Sequence, residues 1–243
     1  MGLLPIVAGG PGQQFQDTLD KRAHPLGSMM MFADGRRFAY SGITATDIAA
    51  GALCQQTLNA ADHDLLAVAA AVAIGDKVVT VTNGGSTAIG VDDLADGYIV
   101  VEDDAGEGHL YTIRSNDAAA TSATVTLTLY DPIQVALTTA TTVTLFRNPW
   151  GRAIIHPSPA TALLLGVTPA ARSNEFGWLQ TWGPAACITQ GTLVINEKVI
   201  DSASADGAVA PTASTAAGEE YYVGVTMEVG PTTEHSLIHL RMS

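Results

Sequence analysis

Alternation of apolar and polar residues is the clearest pattern in the middle of the chain. Val125, Leu127 and Leu129 alternate with threonines, which is the period-2 pattern of a strand with one buried face. Five segments share this Val- and Thr-rich character: 78–82, 97–101, 109–113, 124–130 and 142–146. Gly, Asp and Asn between them supply turns. The spacing predicts an acidic antiparallel sandwich or barrel over residues 76–150.

A second series of strands is predicted in residues 151–243, which we expect to form a barrel-like domain. The candidate strands are 153–156, 176–182, 186–189, 220–229 and 236–242. Residues 202–218 are small and polar and are predicted to form a loop.

The N-terminal part of the chain has a different character. Residues 1–40 are rich in Pro and Gly and lack sustained periodicity, which predicts an extended arm leading into a first strand. Such an arm buries too little by itself to offset its chain entropy, so we expect it to lie on a sister subunit or on another protein. Residues 41–75 are interpreted as a connecting segment and first strands, with short helical candidates at 46–52 and 60–71, the latter equally interpretable as an extended connection. The predicted fold class is mainly β: an extended N-terminal arm followed by two small antiparallel sandwich or barrel units with little helix.

Composition narrows the classes of partner. The chain has 243 residues, a formal charge of −13, 47% hydrophobic and only 14% charged residues. Residues 1–40 hold four basic against three acidic side chains, whereas residues 41–150 hold three against thirteen and residues 151–243 four against eight. With so few Lys and Arg, nucleic acid and anionic membrane surfaces are not expected as partners.

The two cysteines and the apolar segments indicate in which cellular compartment the protein is expected. Cys54 and Cys187 are too far apart in sequence for a metal-binding pair and are interpreted as buried thiols. The longest apolar run, at 65–74, is shorter than the roughly 20 residues of a spanning helix, and the N-terminus lacks a basic region before its apolar stretch. We therefore expect a soluble protein made in the cytoplasm.

Sequence motifs of catalysis are missing. The chain has no phosphate-binding loop, nucleophile elbow, H-E-x-x-H motif or paired-cysteine zinc pattern, so we expect a non-enzymatic protein without a cofactor. Seven carboxylates lie close together in sequence, and they either gather around Ca²⁺ or form a solvated acidic rim. They are Asp92, Asp93, Asp96, Glu102, Asp103, Asp104 and Glu107.

Two later segments carry candidate contact residues. Phe176, Trp178 and Trp182 share one face of a predicted strand, which is typical either of core or of an interface. His235 and His239 would share a strand face with Arg241. At about 13 Å apart by the strand rise, the two imidazoles are too distant to hold one metal ion, which favours an exposed or interfacial face.

Several short segments carry a resemblance to a known family. They are residues 24–27, 34–40, 97–98, 106–113, 129–132 and 176–185. From about residue 24 to the C-terminus, the chain resembles virion structural proteins of tailed bacteriophages, particularly marine ones. Its last part is similar to the β domain of capsid decoration proteins, in which an aromatic strand ending in Gly-Pro-Ala precedes a turn, here Gln190-Gly191, and a late Asp-Gly-Ala-Val, here 206–209.

The resemblance implies a capsid decoration, or cement, protein. Such a protein would be a homotrimer on the outer capsid surface of the virion, bind the assembled major capsid protein and stabilise the head; no active-site residue carries over. Candidate contacts with sister subunits or the capsid are Phe15, Met30, Phe32, Arg36, Arg37, Phe38, Tyr40, Trp178, Trp182, His235, His239 and Arg241.

Two other functions stay open at the level of sequence. A head fibre or host-glycan-binding module would use the unit at 76–150, with Tyr98, Tyr111 and Tyr130 as candidate sugar contacts. A glycan hydrolase would need two carboxylates facing one cleft, and sequence spacing alone does not test this.

Overall fold

A computed structural model describes residues 6–19, 23–44, 47–212 and 222–242. The described chain is built from β-strands and three short 3-10 turns, which confirms the mainly β fold class. In chain order the strands are β1 (Val7–Ala8), β2 (Asp17–Thr18), β3 (Met29–Met31), β4 (Arg37–Gly42), β5 (Leu53–Gln56), β6 (Leu66–Ala67), β7 (Val78–Thr82), β8 (Tyr98–Asp103), β9 (Leu110–Asn116), β10 (Thr124–Leu129), β11 (Thr142–Phe146), β12 (Ala153–Ile155), β13 (Leu164–Val167), β14 (Phe176–Ile188), β15 (Lys198–Asp201), β16 (Val209–Pro211), β17 (Tyr222–Thr226) and β18 (His235–Arg241).

The chain divides into two compact units that are not consecutive in sequence. Asn59–Asn148 forms one, here called the barrel unit, and Gly2–Leu58 together with Pro149–Ser243 forms the other, the split unit. This differs from the predicted succession of segments 1–40, 41–75, 76–150 and 151–243. The reason is long-range pairing, since β4 and β5 bond to strands that follow the barrel unit.

The barrel unit closes on itself. Its strands follow the order β6, β11, β8, β9, β10, β7, with antiparallel neighbours throughout. An antiparallel bridge between Val68 and Val81 joins the two ends. Strands β8, β9 and β10 form a meander and β11 returns beside β8, which is a Greek key.

Apolar side chains at alternate strand positions fill the interior of this barrel. Val125, Leu127 and Leu129 point inward and are fully buried, whereas the threonines between them reach the surface. Each such side chain contributes about 1.5–3 kcal/mol on burial. The strands predicted from this pattern are confirmed, with ends shifted by up to three residues.

Strand β14 organises the split unit. It is 13 residues long and spans about 40 Å at the usual strand rise. Its first half pairs with β4 and β13, and its second half pairs with β18. The prediction of two strands here, at 176–182 and 186–189, is wrong. Gly and Pro usually interrupt strands, but β14 continues through a bulge between Gln180 and Trp182 and then through Gly183, which has a φ of 86°.

Two rings of strands share β14. Strands β4, β14, β13, β5 and β12 form the first ring, which a parallel bridge between Ile43 and Ala153 closes. Strands β14, β18, β17, β15 and β16 form the second, closed by a parallel bridge between Thr189 and Val209. Each ring has its own apolar cluster, with Leu179 in the first and Cys187 in the second.

The described part of the predicted arm pairs with its own chain. Strand β1 lies parallel to β3, β3 pairs with β4, and β2 pairs with the start of β14. A buried arginine fixes this arrangement, because Arg172 Nη2 donates to the carbonyl of Gln14 at 3.1 Å and Nη1 lies 3.2 Å from Asp17 and 3.6 Å from Glu175. The N-terminal segment therefore has a partner surface within the same chain.

The remaining local predictions have mixed outcomes. No α-helix is present in the described part of the chain, and the candidate at 60–71 contains only a 3-10 turn at Ala61–His63 before β6. Within the other candidate, 46–52, residue 46 lies outside the described residues, and the remainder includes a bridge at Ile48. Strand β16 interrupts the loop predicted at 202–218, of which 213–218 lie outside the described residues.

Two expectations about thiols and membrane spans can be compared with the structure. Cys54 and Cys187 are free and buried, as predicted, and burial raises the pKa of each thiol to about 12. A search of the described residues for a helix with the length and apolarity needed to cross a bilayer finds none.

Gly84 allows the backbone of Asp62 to pass close to it inside the barrel unit. A Cβ there would lie 2.1 Å from the carbonyl oxygen of Asp62, whereas at Gly85 the nearest atom would be Ser122 Oγ at 3.9 Å. We expect Gly84→Ala to destabilise the barrel unit by about 1–3 kcal/mol through overpacking, and Gly85→Ala to have little effect. Amide hydrogen exchange of residues 59–148 measures both, and equal protection in the two variants would contradict the assignment.

The carboxyl group of Glu175 gives the split unit a pH dependence. Burial and the neighbouring Asp17 carboxyl raise the pKa of Glu175 above its usual 4.5, against the opposing effect of Arg172. Folding thus favours protonated Glu175, and this stabilisation is complete at low pH and is lost as the pH rises through the raised pKa. We expect Glu175→Gln to reduce the fall in unfolding free energy between about pH 4 and about pH 8, measured by denaturant titration. The exposed Glu107→Gln is the control, and an unchanged slope in Glu175→Gln would count against this role.

Candidate partner-binding surface

The predicted contact residues separate into a buried group and a surface group. Met30, Phe38, Tyr40 and Trp178 form one apolar cluster, with Phe32 and Phe176 packed against it. Trp178 is 2% exposed, and the rings of His24 and Tyr40 lie 5.1 Å and 5.3 Å from it. These residues serve the interior of the split unit, where β1, β3, β4 and β14 are successive neighbours in one sheet.

The two tryptophans of β14 therefore have different roles. The sequence left open whether the aromatic face of this strand is core or interface. Trp178 belongs to the core, whereas Trp182 lies beyond the bulge at the molecular surface and is half-buried. The bulge separates these environments.

Trp182 lies at the centre of a row across three strands. It pairs with Arg37 on β4 and with Arg241 on β18. The guanidinium of Arg37 lies 5.2 Å from the indole centroid, and the ring of His239 meets the indole edge-on at 5.8 Å. A guanidinium at this distance stabilises the indole by about 0.5–1 kcal/mol at an exposed site.

Apolar side chains extend this row into a face of the sheet. Cross-strand pairing places Pro184 beside His239, His239 beside Val225, and Val225 beside Lys198. The next row contains Leu237 and Met227, which are joined by a backbone hydrogen bond. We call this surface the β14–β18 outer face. It comprises Arg37, Trp182, Pro184, Lys198, Val225, Met227, Leu237, His239 and Arg241.

Positive charge distinguishes the outer face from the chain as a whole. Arg37, Lys198 and Arg241 carry fixed charges in a chain of net charge −13. Glu228 lies near the edge, where its Oε1 accepts the backbone N–H of Leu237 at 2.7 Å. An aromatic ring between cationic and apolar neighbours is the composition that interface centres favour.

The predicted orientation of the C-terminal strand is confirmed. Ile238 and Leu240 are buried in the core, and Met242 packs against it, whereas His235 and Arg241 are exposed and His239 is half-buried. The imidazole Nε2 of His235 lies 3.0 Å from the carbonyl oxygen of Ala50, so this histidine also ties β18 to a neighbouring loop.

The remaining candidates lie in the N-terminal segment. Phe15 is 53% exposed, and Leu19 near it in sequence is 85% exposed. Arg36 pairs with Asp34 at 2.7 Å and lies over the ring of Phe32. The backbone N–H and guanidinium of Arg36 lower the pKa of Asp34.

The acidic residues at 92–107 do not form one group. Asp92, Asp93 and Asp96 precede β8, whereas Asp103 and Asp104 lie at its far end, about 20 Å away by the strand rise. Several of them bind loops, as shown by the hydrogen bonds from Gly90 to Asp93 and from Thr138 to Asp104. Among the residues that the structure describes, no three His, Cys, Asp or Glu side chains are placed to hold a metal ion.

Sequence reasoning missed five of the nine residues of the outer face. Pro184, Lys198, Val225, Met227 and Leu237 were not predicted as contacts. The alternation in β18 identifies Leu237 as outward-facing, but Lys198 and Val225 join the face only through the pairing of β15, β17 and β18, which one strand's pattern does not reveal.

The chain was compared with protein-family models, curated proteins and solved structures, and none of these comparisons finds a match.

Replacing each tryptophan separately distinguishes core from surface. We expect Trp178→Ala to cost about 3–5 kcal/mol of unfolding free energy, and Trp182→Ala to cost about 1–2 kcal/mol, because its half-buried indole loses part of its burial and a cation–π contact. Thermal unfolding followed by circular dichroism measures the difference. Acrylamide should quench the fluorescence of Trp182 more than that of Trp178, and similar losses in both variants would contradict the division.

Proposed function

We propose that this chain is a structural protein of tailed-bacteriophage virions that binds the outer surface of the assembled major capsid protein and stabilises the head without catalysis. The β14–β18 outer face is the observation that carries the proposal. It combines a half-buried indole, fixed positive charges and apolar side chains on one sheet. The resemblance of residues 176–185 to decoration proteins covers the part of β14 that contributes Trp182 and Pro184.

Docking through this face would derive its energy from burying Trp182 and its apolar neighbours. Tryptophan and arginine are the residues that most often dominate binding energy when an interface closes over them. The three cations would favour an acidic region of the capsid subunit and fix the orientation of docking. A homotrimer would engage three capsid subunits at once, so modest individual contacts would combine through effective concentration.

The N-terminal segment has a revised role in this proposal. Its described residues are held by β4, β14 and Arg172, so they already have a partner surface within their own chain. Its exposed apolar side chains, Ile6, Phe15, Leu19 and Met29, are instead available for added contact with a capsid or sister subunit.

Two measurements on particles test the proposal. The chain should be present in purified virions of the phage that encodes it, at a fixed ratio to the major capsid protein and accessible from outside to antibody. Absence from the particles would overturn the proposal.

Variants locate the attachment surface. We expect Arg241→Glu and Trp182→Ala to weaken co-sedimentation with undecorated capsids by at least about tenfold, which is about 1.4 kcal/mol. Arg114→Glu, which reverses an exposed charge in the barrel unit, is the matched control. Equal binding by Arg241→Glu and Arg114→Glu would reject the outer face as the attachment site.

A further inference from the structure

A row of aromatic side chains crosses the outside of the barrel unit. Phe146 on β11 pairs with Tyr98 on β8, and Tyr98 pairs with Thr112 on β9. Tyr130, directly after β10, donates its backbone N–H to the carbonyl of Thr112. Four neighbouring strands thus present Phe146, Tyr98, Thr112 and Tyr130 at the same level.

These aromatic rings are surface residues. Phe146 and Tyr130 are each 38% exposed, and Tyr98 is half-buried. Their strand neighbours Leu145, Ile99 and Leu129 fill the barrel interior instead. Tyr111, a predicted sugar contact, is buried, and its hydroxyl accepts the backbone N–H of Gln134. It therefore serves the core and not the row.

The geometry of the row suits a ligand with flat apolar faces. Adjacent strands are about 4.8 Å apart, so Tyr98 and Tyr130, separated by β9, lie about 10 Å apart along the row. Thr112, which has a smaller side chain, lies between them in the row. Pyranose rings present flat C–H faces that stack on aromatic side chains, and successive sugars can use successive rings.

A fixed polar group lies beside the row. The hydroxyl of Tyr130 donates to Asp96 Oδ1 at 2.9 Å, and the backbone carbonyl of Asp96 accepts Nδ2 of Asn148 at 3.0 Å. Asp96 is thereby held beside Tyr130. A carboxylate is an acceptor with several lone pairs, so it can also accept a sugar hydroxyl.

Charge limits the class of sugar. The barrel unit holds twelve acidic and three basic side chains, and Asp96 lies at the row itself. Uronic acids, sulfated sugars and sialic acids would be repelled by this field, whereas an uncharged sugar would not.

We propose that the row formed by Phe146, Tyr98 and Tyr130, with Asp96, is a binding site for uncharged oligosaccharides. This site goes beyond capsid attachment and uses different residues in a different unit. Aromatic rings would supply stacking area, and Asp96 would orient one sugar through its hydroxyl groups. Sites built from aromatic surfaces and a few placed polar groups are typical of small-ligand recognition.

Affinity electrophoresis of the full chain tests the site without capsids. Native gels would contain dextran, soluble starch, galactomannan, arabinogalactan or xyloglucan as neutral polymers, with alginate and heparin as anionic ones. We expect at least one neutral polymer to retard the chain and the anionic polymers not to do so. Failure of every neutral polymer to retard it, or equal retardation by anionic ones, would overturn the proposal.

Four variants assign the binding to the row. Tyr98→Ala and Tyr130→Ala should each weaken retardation at least about fivefold, whereas Tyr130→Phe, which keeps the ring, should retain most of it. Tyr222→Ala removes a 41% exposed tyrosine from the split unit and should have no effect. Normal circular dichroism in each variant establishes that the fold is retained, and retardation unchanged in both alanine variants of the row would reject this location. Because no capsid is present, the result is independent of capsid attachment.

Discussion

Shared use of a single strand is the constraint on which the split unit depends. Strand β14 is a member of both closed rings, where it pairs with β4 in the first and with β18 in the second. Neither ring would be closed without it. The register of β14 against β4 shifts between Gln180 and Trp182, at the junction of the two rings, and Gly183 follows this bulge with a φ of 86°. Gln180 supports this bulge, because its buried Nε2 donates to the carbonyls of Trp182 and Pro184. The same bulge brings Trp182 to the surface while Trp178 stays in the core, so the candidate docking face is a consequence of how the two rings are joined.

The alternation of apolar and polar residues was sufficient to locate strands in the sequence. It was not sufficient to identify which strands pair with one another. The Val and Thr alternation of β10 identified a half-buried strand and its inward residues, because period 2 depends only on the residue and its immediate neighbours. The two-unit division could not be obtained this way, since it depends on β4 and β5 pairing with strands beyond residue 148. The N-terminal segment was misjudged for the same reason. Its apolar residues were correctly seen as needing a partner surface, but that surface is β4 and β14 of the same chain.

The sequence also could not decide which aromatic residues lie in the core and which lie on the surface. Phe38, Tyr40 and Trp178 were predicted as contacts because of their residue types, and all three are core. The surface groups are rows across strands. Arg37, Trp182 and Arg241 come from three distant parts of the chain, as do Phe146, Tyr98 and Tyr130. A row of this kind is fixed by register, and a shift of one residue in any strand would turn its member inward. Sequence can therefore nominate the members of a row but not assemble them.

Two carboxylates of the barrel unit, those of Asp62 and Asp104, fasten loops through hydrogen bonds. The Ser86 hydroxyl, together with the backbone N–H groups of Ser86 and Thr87, which donate to Asp62, holds the pKa of Asp62 well below its usual range. Hydrogen bonds from Thr138 and Thr141 lower the pKa of Asp104 in the same way. These carboxylates stay ionised because loop donors favour the charged form. Their charge is thus part of how the loops are fastened, and it adds to the net negative charge of the barrel unit. Eight of the eleven Lys and Arg residues lie instead in the split unit, where Arg37 and Arg241 flank Trp182.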